Sequence, residues 1–225
     1  MDCIIYRQLI GSLLYLTHSR PDICYAVNAI SRYMQKPHDI HWKESKRILQ
    51  YIQGTRTYNI DYATDFELEL VGYTDSDWVG DSIDWKSTSG YVFMFGGGPI
   101  FWSRKIQAAI ALSSVEAKYR GAVNACIQAI WLQGILSEFD LGSTFFTILF
   151  CENQSSINIS TDPDTEKRTK HVEIHMHYIR ELVHDMTIIL QHCPTGEKIT
   201  DIFTKRFLEN KFTYFHSLLG VSSSR

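Results

Sequence analysis

Four acidic residues in the C-terminal two-thirds of the sequence have the types and positions that metal-dependent chemistry on phosphodiesters requires. Asp75 lies in YTDSDW, Glu116 in ALSSVEAKY, Glu152 in CENQSSI and Asp201 in KITDIFTK. Mg²⁺ prefers a few carboxylate ligands together with water, and two such ions can stabilise the attacking and leaving oxygens of an in-line displacement. If folding brings these four residues together, the sequence predicts a site for two Mg²⁺ ions.

The composition is typical of a globular protein with a full core. Of the 225 residues, 44% are apolar and 13% are aromatic, which suits one large domain or a domain with an appendage. The net charge of −3 gives no overall signal for nucleic acid. Residues 1–60 carry 8 Lys and Arg against 4 Asp and Glu, and residues 61–225 carry 14 against 21. An excess of positive charge in residues 1–60 would suit contact with a phosphate backbone. A chance distribution of charged residues along the chain is the simpler explanation.

The cysteines and the apolar stretches indicate the compartment. Five dispersed cysteines without a CxxC pair favour free thiols in a reducing environment over a disulfide framework or a zinc finger. The apolar stretch Leu9–Leu16 is too short to span a bilayer and lacks a clear cleavage site. We therefore expect an intracellular protein, cytoplasmic or nuclear, that is neither secreted nor bound to a membrane.

The elements that must position the four acids follow from hydrophobic periodicity, which changes from helical to strand-like near residue 61. Residues 4–56 predict a small helical bundle. Helices are also predicted from Ser113 or Ser114 to about Glu138, over about 172–184, and at Asp201. The predicted strands are 68–74, 89–95, 100–104, 145–150 and 187–192. This order predicts an α/β fold with a mixed five-stranded sheet and flanking helices.

Eight blocks of the sequence together resemble one known family, in that family's order. They are YRQLIGSLLYLTHSRPDICYAVNAISRYM, HWKESKRILQYIQGT, YTDSDWVGD, KSTSGYVFMFGGGPIFWSRK, ALSSVEAKY, CENQSSI, RTKHVEIHMHYIREL and DIFTKRF. On these blocks the chain is similar to the C-terminal part of the Pol polyprotein of copia-type retrotransposons. The resemblance covers nearly the whole sequence.

The resemblance implies a division of the chain. Residues 1–60 would be a helical remnant of the reverse transcriptase, from its thumb or connection region. Residues 61–210 would form a ribonuclease H-like domain, and residues 211–225 a C-terminal tail. The paired-aspartate motif of the polymerase is not found in the sequence, so no polymerase activity is expected. Met1 is expected to open a truncated reading frame.

The resemblance also implies the chemistry. The expected function is endonucleolytic cleavage of the RNA strand in RNA/DNA hybrids, with Asp75, Glu116, Glu152 and Asp201 as catalytic metal ligands. The cofactor would be two Mg²⁺ ions, with Mn²⁺ as an alternative. The expected partners are the RNA/DNA hybrid and the other Pol domains of an intact element.

Two positions depart from the family pattern. Glu152 stands where the family has aspartate, and misplacing a catalytic group by about 1 Å can cost about 10²-fold in rate. Lys118 stands where the family block EAEY has its second glutamate. Residues two apart on a helix point about 200° apart, so only one of Glu116 and Lys118 can face the metals, and the sequence leaves both alternatives open.

These departures predict weak or absent activity, with Lys118 as the inactivating residue if it faces the metals. The alternative is a catalytically inactive relic or a hybrid-binding protein. The resemblance also suggests polar and basic contacts to the hybrid, although a solvated charged loop explains the three basic residues equally well. The predicted nucleic-acid-binding residues are Ser76, Ser113, Ser114, Asn153, Gln154, Lys167, Arg168 and Lys170.

Overall fold

A mixed five-stranded sheet forms the framework of this computed structural model. The structure describes residues 2–62, 68–78, 85–141, 146–152, 154, 157, 170–194 and 196–223, and in 170–176 only the backbone. The strands of the large sheet are β2 (Val71–Asp77), β3 (Thr88–Phe95), β4 (Gly98–Ile106), β5 (Thr147–Cys151) and β6 (Ile188–His192).

The strand order is β4-β3-β2-β5-β6. Strand β3 runs antiparallel to both β2 and β4, whereas β5 runs parallel to β2 and β6 runs parallel to β5. The parallel pairing places the carboxyl ends of β2 and β5 at the same edge of the sheet. The predicted α/β fold, with a mixed five-stranded sheet and flanking helices, is confirmed.

Helices precede, interrupt and follow the strands. The N-terminal helices are α1 (Cys3–Leu16), α2 (Cys24–Ser31) and α3 (Asp39–Gly54), with a 3₁₀ turn over Pro21–Ile23. The others are α4 (Ser114–Glu138), α5 (Lys170–His184), α6 (Asp201–Thr204) and α7 (Glu209–Leu218). None of the helices in the described ranges has both the length and the apolar character needed to cross a membrane.

The sheet separates two apolar clusters. Phe93 of β3 packs with Leu149 of β5 and with the buried face of α4. The preceding residue, Val92, packs on the opposite side with Phe203 and Phe215, because successive side chains of a strand point to opposite faces. Helices α4 and α5 therefore cover one face of the sheet, and α6 and α7 cover the other.

The N-terminal helices join the sheet domain through several contacts. They share a third cluster that includes Tyr6, Ile10 and Val27. Strand β1 (Tyr58–Ile60) pairs antiparallel with β7 (Val221–Ser223) in a two-stranded sheet. The residues expected to form a C-terminal tail, 211–225, thus include most of helix α7 and all of strand β7. The division at residues 60 and 210 stays a prediction.

A buried ion pair connects the N-terminal segment to helix α7. Arg20 donates to both carboxylate oxygens of Asp22, at 2.9 and 2.7 Å, and the Tyr51 hydroxyl donates to the same carboxylate at 2.8 Å. Nε2 of His216 lies 3.8 Å from Oδ2 of Asp22. Burial acts to raise the pKa of Asp22, but the contacts with His216 and Arg20 outweigh it and hold that pKa well below its usual range. The carboxylate is therefore charged throughout the physiological pH range.

Two glycines let helices lie close to β2, which carries Asp75, and to the neighbouring strand β3. A Cβ at Gly121 of α4 would come within 2.2 Å of Oγ of Ser76 in β2. A Cβ at Gly90 of β3 would lie 3.1 Å from Cβ of Phe203 in α6. A side chain at position 121 would push α4 away from the sheet, and one at position 90 would require a small shift of α6, so both glycines contribute to the geometry around Asp75.

We predict opposite effects for two alanine substitutions on helix α4. Gly121→Ala overpacks the contact with Ser76 and should lower the free energy of unfolding by about 1–3 kcal/mol. Gly134→Ala is the matched control, since a Cβ there meets nothing within 4 Å. It should raise the free energy of unfolding by about 0.5–1 kcal/mol through helix propensity. Urea denaturation of both variants measures the difference, and equal effects would contradict the proposed close packing.

Candidate active site

Asp75 lies near the carboxyl end of β2, paired across the ladder with Gly90 of β3. Its side chain is buried. Thr204 of α6 donates a hydrogen bond from Oγ1 to Oδ2 of Asp75 at 3.2 Å. The other oxygen, Oδ1, is buried and has no hydrogen-bond partner in the described part of the chain. A buried carboxylate oxygen without a partner is costly, which is typical of a site that takes a ligand.

Asp201, the first residue of helix α6, and Lys205, the residue that follows this helix, both lie beside Asp75 of β2. Nζ of Lys205 is 2.8 Å from Oδ1 of Asp201 and 3.8 Å from Oδ2 of Asp75. Burial raises the pKa of Asp75, Lys205 and Lys198 oppose the shift, and the negative charges of Asp201 and Glu152 add to it. Partial burial disfavours the charge of Lys205, but its hydrogen bond to Asp201 and the charge of Asp75 prevail and raise its pKa.

Glu152 follows directly after β5 and is held between two lysines. Nζ of Lys118 lies 2.5 Å from Oε2 of Glu152, and Nζ of Lys198 forms an ion pair with Oε1. Lys198 is almost fully buried, with 2% of its surface exposed. Burial disfavours ionisation of Glu152, but the hydrogen bonds from Lys118 and Lys198 outweigh it and lower the pKa of Glu152 to about 2.

The two alternatives on helix α4, Glu116 and Lys118, have different surroundings in the structure. Glu116 accepts a hydrogen bond from the backbone nitrogen of Leu112 and another from Nη2 of Arg120, both at 2.7 Å. Its own backbone nitrogen donates to Oγ of Ser113, so Glu116 takes part in capping the helix, much as the glutamate of a capping box does. Lys118 points to Glu152 instead. This geometry favours Lys118 as the residue of α4 that faces the acidic site.

The other predicted site residues have different surroundings. Ser76 is buried, and its Oγ lies 2.9 Å from Oγ of Ser89. Ser113 is the N-cap of α4, and Ser114 and Gln154 are exposed. The remaining four predicted nucleic-acid-binding residues cannot be placed: Asn153, Lys167 and Arg168 lie outside the described residues, and Lys170 is described only as the first backbone position of α5.

Sequence reasoning missed the two lysines of the C-terminal segment. Lys205 follows Asp201 by four residues, a spacing at which side chains of opposite charge meet on a helix, so this pair could have been found. Lys198 carried no such signal, because its partner Glu152 is distant in sequence. Burial of a lysine beside the end of β5 depends on tertiary packing that periodicity does not encode.

Acidic and basic side chains are paired with one another at this site. Three carboxylates (Asp75, Glu152, Asp201) meet three ammonium groups (Lys118, Lys198, Lys205). Among the residues that the structure describes, no three His, Cys, Asp or Glu side chains are grouped as metal ligands. The unpartnered oxygen of Asp75 and the neighbouring Asp201 fit one divalent cation chemically, whereas Glu152 is already neutralised by lysines.

The lowered pKa of Glu152 predicts a pH-dependent contribution to stability. Its pKa is about 2 in the folded chain and about 4.3 in an unfolded one, so the Glu152 carboxylate stabilises the fold above about pH 4.3, and this is lost as the pH falls towards 2. The difference in free energy of unfolding between the unaltered chain and Glu152→Gln should therefore be larger at pH 6 than at pH 2.5. Guanidinium denaturation at both pH values measures it. A difference that does not change with pH would contradict the assigned ion pairs.

Comparison with curated proteins gave long matches, although no family model matches the chain. The chain is 36% identical over 216 residues to the retrovirus-related Pol polyprotein from transposon RE2 of Arabidopsis thaliana, covering 96% of this chain and 15% of that protein. It is 37% identical over 225 residues to the corresponding polyprotein from transposon TNT 1-94 of Nicotiana tabacum, covering 100% of this chain and 17% of that protein. The chain thus spans about one-sixth of these relatives.

A third relative is shorter, and solved structures show more distant similarity. Secreted RxLR effector protein 161 of Plasmopara viticola is 39% identical over 133 residues, covering 59% of this chain and 94% of that protein. LC11-RNase H1 in complex with an RNA/DNA hybrid aligns with a TM-score of 0.43 and 12% identity, covering 58% of this chain and 88% of that one. The N-terminal RNase H domain of rv2228c from Mycobacterium tuberculosis aligns with a TM-score of 0.46 and 10% identity, covering 67% and 98%.

The long matches to transposon polyproteins, together with the order of the sequence blocks, assign the family. The chain belongs to the Pol polyproteins of copia-type retrotransposons.

Proposed function

We propose that this chain carries a ribonuclease H-type site for divalent-metal-dependent cleavage of RNA in RNA/DNA hybrids, and that its lysines leave this activity weak. The observation that carries the proposal is the buried, unpartnered Oδ1 of Asp75 next to Asp201 and Glu152. These carboxylates lie where parallel strands end, the edge at which open α/β sheets bind ligands.

Asp75 and Asp201 are the residues that would hold a divalent cation, with Mg²⁺ as the expected ion and Mn²⁺ as the alternative. Such a cation would supply an activated water and would stabilise the leaving oxygen of the phosphodiester. Thr204 fixes Asp75 through its hydrogen bond to Oδ2, and this leaves Oδ1 turned away from the threonine.

The lysines oppose this chemistry by charge and by position. Two unit charges about 4 Å apart interact by about 4 kcal/mol at an effective dielectric constant of about 20. Lys118 and Lys198 occupy both oxygens of Glu152, and Lys205 neutralises Asp201. A cation must therefore compete with three resident positive charges. Lys118 has the greatest effect because, by the resemblance, it replaces a carboxylate that would have attracted the metal.

A second function is favoured by the same ion pairs. Because the carboxylates are neutralised within the protein, the site repels a phosphate backbone less than a bare cluster of acids would. The chain would then bind hybrids without turnover, as a hybrid-binding protein or relic that keeps the fold. An assay for cleaved RNA with the unaltered chain distinguishes the two functions, since only the first produces cleaved RNA.

We predict that Lys118→Glu increases cleavage of a labelled RNA/DNA hybrid in Mg²⁺ or Mn²⁺ by at least about tenfold, because metal affinity typically responds by 10–100-fold to changes near the ligands. Adding Asp75→Asn to Lys118→Glu should abolish the gain. Lys43→Glu, at an exposed position of α3, is the control, because it makes the same change in net charge far from the carboxylates.

Three outcomes are informative in this experiment. A gain in Lys118→Glu that is absent in Lys43→Glu supports the ribonuclease function and the inhibitory role of Lys118. Hybrid binding without cleavage in every variant supports the second function. Cleavage by the unaltered chain that survives Asp75→Asn would contradict the assignment of the site.

A further inference from the structure

A buried hydrogen-bond network lies beneath the first turns of helix α4. Gln107 follows β4, and its Nε2 donates to Oγ of Ser89 and to the carbonyl oxygen of Ala117, both at 2.8 Å. Oγ of Ser89 lies 2.9 Å from Oγ of Ser76 in β2. All four residues are buried. The network therefore connects β2, β3 and the end of β4 to α4, at the edge of the sheet where Asp75 lies.

The side-chain amide of Gln107 is fixed in one orientation. A carbonyl oxygen can only accept a hydrogen bond, so Nε2 rather than Oε1 must face Ala117. The backbone nitrogen of Gln107 donates to the carbonyl oxygen of Ser87 at 2.8 Å, which holds the residue itself in place. Oε1 is buried and has no hydrogen-bond partner among the described residues, and this costs free energy. The contribution of Gln107 therefore comes from its two donors.

The position of Ala117 determines where its two neighbours on α4 point. Ala117 and Gly121 lie four residues apart, on one face of the helix. This face meets the network, since a Cβ at Gly121 would lie 3.3 Å from Oγ of Ser89. Successive residues of a helix point about 100° apart. Glu116 and Lys118 therefore lie on opposite flanks of the face that the network holds.

The two flanks have different partners. Glu116 accepts a hydrogen bond from Arg120 at 2.7 Å, whereas Nζ of Lys118 lies 2.5 Å from Oε2 of Glu152. A rotation of α4 about its axis would move Lys118 away from Glu152. The contacts that hold this face of the helix against the sheet thus also hold the ammonium group at the acidic site.

We propose that Gln107 is a positioning residue of this site: its hydrogen bonds to Ala117 and Ser89 set the rotation of α4 that directs Lys118 to Glu152. The donors of its side chain are used by the network, so Gln107 acts through the helix. The consequence for cleavage rests on the proposed function, because only there does Lys118 oppose a metal ion. The placement of Lys118 does not depend on that function.

The test is reductive methylation of lysines in the folded chain, followed by mass spectrometry of the peptides that contain Lys118. An ammonium group held in an ion pair reacts slowly, because methylation requires the free amine. Gln107→Met keeps the length of the side chain but removes both donors, and it should accelerate methylation of Lys118 several-fold. Lys43, at an exposed position of α3, is the internal reference, and its rate should stay unchanged.

Gln133→Met is the matched control at the other end of α4. Nε2 of Gln133 donates to Oγ1 of Thr147 and to the carbonyl oxygen of Thr187, at 2.8 and 3.2 Å. This substitution therefore also removes two hydrogen bonds that hold α4 to the sheet. Gln133 is 15 residues from Lys118, about 22 Å along the helix axis. The control should lower the stability of the chain but leave methylation of Lys118 as it is.

Faster methylation of Lys118 in Gln107→Met, with Gln133→Met like the unaltered chain, supports the positioning role. An unchanged rate in Gln107→Met, or an equal increase in both variants, would show that the amide only adds stability, and the inference would be wrong. Ser89→Ala removes one acceptor of the network and should give a smaller increase, so it decides the question if Gln107→Met fails to fold. These measurements need neither metal nor nucleic acid, so the proposed function can fail while the positioning role stands.

Discussion

The near balance of three carboxylates and three ammonium groups at one edge of the sheet is the constraint on which this structure depends. Asp75, Glu152 and Asp201 come together because β2 and β5 end side by side and α6 packs against β2. Acids this close destabilise a fold unless cations accompany them. Here the cations belong to the chain: Lys205 neutralises the acids of α6 and β2, and two lysines neutralise Glu152. The carboxylates are therefore balanced by charges of the chain itself, and under the proposed function the same contacts would oppose metal binding.

The N-terminal helices contribute to this edge as well as to the core. The buried Arg20–Asp22 pair reaches His216 of α7, and β1 pairs with β7. Helix α2 also lies against β4, where Tyr25 supports Arg104. The segment that resembles the end of a reverse transcriptase is thus part of the surroundings of the acidic site.

Much of the fold could be predicted from the sequence, because the alternation of apolar residues identifies the strands and the order of the elements along the chain identifies the fold class. The strands ending near Asp75 and Glu152 follow that pattern. The different surroundings of Glu116 and Lys118 could not be predicted, since the rotation of α4 about its axis depends on how its buried face packs against the sheet. Burial of Lys198 was not predictable either, because it depends on the packing of a loop against the end of β5. Local patterns specify elements, whereas charge pairing depends on tertiary contacts.

The most direct test is a calorimetric titration of the unaltered chain with Mg²⁺ and then Mn²⁺, at low ionic strength. The account predicts no saturable binding below millimolar concentration, because the lysines already neutralise the carboxylates. It also predicts that Lys118→Glu creates a saturable site under the same conditions. Saturable binding of two ions to the unaltered chain at micromolar concentration would contradict the account, since it would show that the lysines leave the site when metal arrives.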